Sequence, residues 1–159
     1  MEEFSEAFNR AKRNLMIADH MIYMTYSVVK DPRLLLTVLE NVFLALSNGI
    51  SAVLNYENLY KRVDHIPDSF EEKLNAFLAV AERLRIDTRH LSLIKEVKEI
   101  IIEHKDSPME FVRNDRFVIC SNNYEMKVIS VEQIKNYIGQ TKNFLAEVST
   151  ILQNERVLG

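Results

Sequence analysis

The chain has 159 residues, 47% of them hydrophobic, a net charge of −3 and a single cysteine. About two-thirds of the unfolded surface can be buried at this length, so one folded domain over residues 1–159 is expected. The charge excludes a global electrostatic pull on nucleic acid or on an anionic membrane. Lone Cys120 excludes an internal disulfide framework and fits a reducing compartment.

Three glycines and three prolines leave few turns, which predicts long helices. Phe4, Phe8, Ala11, Leu15, Ala18, Ile22, Thr25 and Val29 recur at alternating spacings of four and three, one stripe of a helix from about Ser5 to Val29. Ser5 is the predicted cap. Asp31-Pro32 ends the helix, because the residue before proline is pushed out of the α region. A second helix runs from Arg33 to about Tyr60. Its apolar residues cover more than half its circumference, which predicts a central helix with neighbours on several sides. This apolar stretch is broken by Glu40, Asn41, Asn48 and Asn55. A membrane span needs roughly 20 mainly apolar residues with almost no charge, so a buried core helix is expected. The opening Met-Glu-Glu lacks a basic leader region. The expectation is a cytoplasmic protein with no membrane partner.

Val63 to Pro67 is a predicted loop. Asp68 with Glu71, or Ser69 with Glu72, forms a capping box for a third helix with the stripe Phe70, Leu74, Phe77, Ala81 and Leu84. Asp87 or Thr88 caps a fourth, running to about Lys105 with Leu91, Ile94, Val97 and Ile101 inward. After Asp106-Ser107-Pro108 the pattern changes. Met109 to Val112, Phe117 to Cys120 and Glu125 to Ile129 are short, β-branched and aromatic, and turns separate them. Ser130 and Gln133 cap a last helix carrying Ile134, Ile138, Thr141, Leu145, Val148 and Leu152. Gly139 within it is expected to permit close packing. The predicted fold is mainly α: an up-and-down bundle of about five helices, with a β-hairpin or three-stranded meander inserted at about 109–129, before the last helix.

Few residues point to chemistry. Glu40 is either an active carboxylate or part of a polar seam with Asn41, Ser47, Asn48 and Ser51. Glu99, Glu103 and His104 do not form the Glu-x-x-His pair of di-metal bundles, so neither a metal nor another cofactor is expected. His90 and His104 fall on one helix roughly 20 Å apart and cannot share a site. His104 near the helix C-terminus is the residue type that caps it. The densest group is His104, Glu110, Arg113, Arg116, Tyr124 and Lys127, a candidate ligand site. Two arginines three apart on a turn can grip a phosphate, or else pair with Asp115 or Glu110.

The opening Ala11-Lys12-Arg13-Asn14-Leu15 with Ala18, followed by the wide apolar second helix, resembles the HEPN superfamily of small helical bundles. Many members are metal-independent ribonucleases that use an Arg-x4–6-His motif shared between two protomers. Others are inactive partners of small nucleotidyltransferases. Arg85 with His90, Arg83 with His90, and Arg13 with His20 have the spacing. The polar residue preferred after the arginine is present as Asn14 and replaced by Ile86. The resemblance implies Arg85 for charge stabilisation and His90 for proton transfer, with the RNA 2′-hydroxyl as nucleophile. The reading favoured from the residues is a non-catalytic interaction protein, a homodimer or the partner of another protein, with the second helix or the β segment at its interface. The alternatives are a HEPN-like ribonuclease, or nucleotide or phosphate binding at Arg113 and Arg116; net charge gives RNA or nucleotide no support.

Overall fold

The computed structural model describes the backbone of residues 2–158, with side chains as far as residue 153. The first rod combines α1 (Glu3–His20), a π-helical turn (Met21–Thr25) and α2 (Tyr26–Val29). It is followed by α3 (Leu34–Leu59), α4 (Phe70–Leu84) and α5 (Thr88–Asp106). Strands β1 (Met109–Arg113), β2 (Arg116–Cys120) and β3 (Met126–Ile129) lead into α6 (Val131–Leu158). The fold is mainly α, with an antiparallel three-stranded meander in the order β1-β2-β3 before the last helix.

The first rod starts at Glu3, so Ser5 lies within the helix and caps nothing. Glu3 and Glu6 in the first turn complement the positive end of the helix dipole instead. The predicted stripe is buried at Phe4, Ala11, Leu15, Ala18 and Ile22, and then fails: Val29 is exposed. The cause is the π turn, which winds more residues per turn and rotates the remainder of the rod about its axis. Tyr26 packs against the core in place of the expected Thr25 and Val29. Lys30 ends the rod in the left-handed region (φ 54°), and Asp31 accepts hydrogen bonds from the Arg33 N–H and guanidinium.

Helix α3 is central, packing against α1, α4, α5 and α6. It is long and apolar enough to cross a membrane, and half of its most apolar window is buried inside the bundle. Its polar seam is hydrogen-bonded. Asn48 Nδ2 donates to Asn14 Oδ1 at 2.9 Å, and Lys73 Nζ donates to Ser51 Oγ at 3.3 Å. Glu40 is exposed. Close helix packing occurs at Gly49, where an added Cβ would lie 2.8 Å from Phe144 Cε2. The expectation for Gly139 is overturned: it is exposed, and an added Cβ would meet nothing within 4 Å.

Caps fix the remaining helices. Ser69 Oγ accepts from the Glu72 N–H, and Asp87 accepts from the Arg89 N–H. Ser130 Oγ accepts from the Gln133 N–H. Helix α4 closes on Arg85 (φ 57°), with the Ile86 N–H bonded to the Ala81 carbonyl, a Schellman-type end. The inward face of α5 is broader than predicted: Leu93 and Ile100 are buried, and Leu91 only partly. The whole predicted stripe of α6 is buried.

In the sheet, Arg113 pairs with Arg116, Phe111 with Val118, and Val118 with Val128. Alternation puts Glu110, Val112, Phe117, Ile119, Lys127 and Ile129 on one face. Phe117, Ile119 and Ile129 join the helical core. Strand β3 begins at Met126; Glu125 belongs to the turn, its N–H bonded to Ser121 Oγ.

Candidate functional site

The N-terminal turn of α5 lies against the middle of α6. Between them is a polar cleft of about 570 Å³, lined by Asp87, Arg89, His90, Ser92, Asn136, Gln140 and Asn143. His90 is 9% exposed. Its Nε2 lies 2.8 Å from Glu147 Oε2, and Glu147 Oε1 accepts from the Asp87 N–H at 3.4 Å. One carboxylate thus fixes both the imidazole and the cap of the helix that carries it. The ring rests on Phe144, with centroids 5.5 Å apart. His90 Nδ1 makes no hydrogen bond among the described residues, leaving it available to the cleft. The Arg89 guanidinium and N–H hold the Asp87 carboxyl down at about 2. The cap therefore stays ionised at any ordinary pH, and its stabilising contribution fades as pH falls from the usual carboxyl value of 3.8 down through the lowered one. Gln140 Nε2 donates to Asn136 Oδ1 along α6.

The arginine–histidine pairs are placed as follows. Arg85 is exposed at the αL end of α4 and does not line the cleft. Arg83 is held by Glu57 at 2.5 Å. Arg13 and His20 are both exposed on α1.

The six candidates between His104 and Lys127 do not form one site. His104 Nδ1 meets Glu110 Oε2 at 2.6 Å, and Lys127 Nζ meets Glu103 at 3.6 Å. These pairs tie the inner face of the sheet to α5. His104 stands in the last turn of α5, where the helix dipole favours a cation, and its ring is also engaged by the strand. Arg113 and Arg116 lie on the opposite, outer face, directly across from each other beside the Asn114–Asp115 turn. Neither pairs with Asp115 or Glu110, and neither side chain makes an ion pair or hydrogen bond among the described residues. Tyr124 is 90% exposed, in the β2–β3 turn at the other end of β2. Residues close in sequence were separated by strand alternation, which sends neighbours to opposite faces.

Two features were missed. Buried Glu57 binds arginines from two other segments, a tertiary pairing that local pattern does not report. The second is an exposed apolar surface on the first rod: Met16, Ile17, Tyr23, Met24, Val28 and Val29. Its signal was legible as a second set of apolar residues, out of phase with the buried stripe. Beside it lies a groove between α1 and α6 lined by Phe8, Leu15, Met16, Leu145 and Ala146, with Lys12, Asp19 and Lys142 at its rim. Helix α3, one of the two segments expected at an interface, is largely covered by its own chain. Among the described residues, no three His, Cys, Asp or Glu side chains gather to hold a metal. Compared with known proteins, the chain matches no family model, no curated protein and no solved structure.

Proposed function

We propose that the protein is a non-catalytic interaction module that works as a homodimer, associating through its first rod. The observation that carries this reading is the exposed apolar stripe of Met16, Met24 and Val28, flanked by Ile17 and Tyr23. In a plain α-helix, residues eight and twelve apart drift around the cylinder. The wider π turn removes part of that drift and keeps the stripe in line for about 18 Å. A two-fold interface uses one patch twice, so it needs a surface that complements itself. The rod presents a methionine ridge beside the Phe8–Leu145 groove. Methionine adapts to such a hollow.

Sedimentation velocity over a concentration series is expected to show a monomer–dimer equilibrium. Met24→Glu changes a position that is 59% exposed, so the helical spectrum stays the same. Burying its charge at the centre of the patch weakens association by about tenfold or more. A monomer at every concentration, or a dimer indifferent to Met24→Glu, overturns the reading.

One observation favours a second reading, the ribonuclease action that the HEPN resemblance implies. The Arg85–His90 spacing falls at the α4–α5 junction, and the His90 ring lines a polar cleft. On this reading His90 moves the 2′-hydroxyl proton from within the cleft, and Arg85 offsets charge at the scissile phosphate from the exposed end of α4, outside the cleft. Single-stranded RNA incubated in EDTA is then cleaved by the native protein and not by His90→Gln or the surface variant Arg85→Gln. Equal rates in all three, or no cleavage by any, remove this reading.

A further inference from the structure

We infer that the outer face of the β1-β2-β3 sheet docks an extended acidic segment of a partner protein, a role separate from self-association along the first rod. Two observations converge. Arg113 and Arg116 are cross-strand partners, so two like charges stand directly opposite each other. That arrangement is destabilising in isolation. Among the described residues, Asp115, in the turn between them, pairs with neither, and both guanidiniums keep their full donor sets. An anion placed between them relieves the repulsion and takes forked hydrogen bonds.

The second observation is the surface these arginines border. Phe111, Val118, Met126 and Val128 line a hollow of about 280 Å³ on the same face, with the two arginines at one end. Val118 is buried outside the main core, covered within this small outer cluster. Met126 and Val128 remain 60% and 42% exposed. Among the described residues, both outer strands also lack a neighbour on one side, so backbone pairing is open to an incoming strand.

Chemistry selects the occupant. An extended segment that carries apolar side chains and then carboxylates along one and the same face meets all three features: side chains for the hollow, carboxylates for the arginines and a backbone for the edge. Single-stranded RNA fits less well. It needs aromatic stacking surfaces, and this face has one, Phe111; exposed Tyr124 lies at the opposite end of β2. A second copy brings its own two arginines to the same place and adds to the repulsion.

The test is fluorescence anisotropy with the full chain and three labelled probes: a peptide whose successive same-face positions are valine, valine and glutamate, with threonine between them, its counterpart with lysine for glutamate, and a uridine oligonucleotide. Saturable binding of the glutamate peptide alone is expected, weakened by about tenfold or more in Arg113→Gln/Arg116→Gln and also weakened in Met126→Ser. All three positions are exposed, so circular dichroism should not change. Light scattering on the arginine variant separates this inference from self-association, which it leaves intact. No saturable binding, equal binding of the lysine peptide, a preference for RNA, an unaffected arginine variant, or a change in its mass each overturns the inference.

Discussion

Replacing both Arg62 and Arg83 with alanine is expected to cost about 3–5 kcal/mol, the penalty for leaving a buried charge without a partner. Glu57 has no exposed surface. Its Oε2 receives Arg62 Nε at 2.6 Å and an Arg83 Nη at 2.5 Å. Its Oε1 is buried and has no hydrogen bond among the described residues, so the two arginine contacts fall on one oxygen of the carboxylate. The three residues belong to the last turn of α3, the loop after it and the end of α4. They pin one end of the bundle. Arg62 also lies over the rings of Tyr56 and Tyr60, at 5.7 and 5.1 Å.

The asymmetry of the cluster makes the experiment informative. The arginines are partly exposed, with side chains 33% and 46% accessible. Water can therefore serve them when Glu57 is removed, whereas Glu57 has no exposed surface in the native chain. Urea unfolding should show a loss for each single arginine variant and a greater one for the pair. Adding Glu57→Met to the double variant should restore most of the stability, since an apolar side chain of similar size needs no partner. If the triple variant is no more stable than the double, the buried charge is not the cause.

The parts of the fold that were legible in the sequence are those set by local chemistry. Asp31-Pro32 stops a helix because proline restricts its neighbour, and Ser69, Asp87 and Ser130 cap because a short oxygen side chain reaches a free N–H. The Asn114–Asp115 turn requires a residue tolerant of the left-handed region, and Asn114 adopts φ 57°. The features that stayed hidden depend on partners distant in sequence. The π turn rotated the end of the first stripe without any glycine or proline to announce it. Gly139 is the glycine expected at a packing site, yet the close neighbour lies over Gly49, because only tertiary structure brings Phe144 there. For the candidate site the limit was the same. Arg113 and Arg116 were found as a pair, and the turn keeps them adjacent. His104, Glu110 and Lys127 were grouped with them by sequence distance, and strand alternation placed that group on the other side of the sheet.

Phe144→Ala is expected to cost about 3–5 kcal/mol, the usual range for emptying a core phenylalanine site. Phe144 is fully buried, packs edge-on against Phe77 with centroids 6.0 Å apart and covers Gly49. The same ring supports His90, so losing it also loosens the His90–Glu147 pair and the α5 cap attached to it. The glycine opposite supplies a sharper test than the loss alone. Gly49→Ala in the native background gains about 1 kcal/mol of helix propensity and loses about 1–3 kcal/mol to overpacking. Its Cβ would lie 2.8 Å from a rigid ring and 3.0 Å from Leu145 Cδ2. With the ring gone, only the movable end of a leucine stands in the way, and the propensity gain prevails. Gly49→Ala should therefore destabilise the native chain and stabilise Phe144→Ala, a coupling of about 0.5–3 kcal/mol in a double-mutant cycle. Gly139→Ala is the control: its Cβ meets open space, so it should add about 1 kcal/mol in both backgrounds. If Gly49→Ala has the same effect with and without Phe144, the two helices are not held at the separation this contact requires.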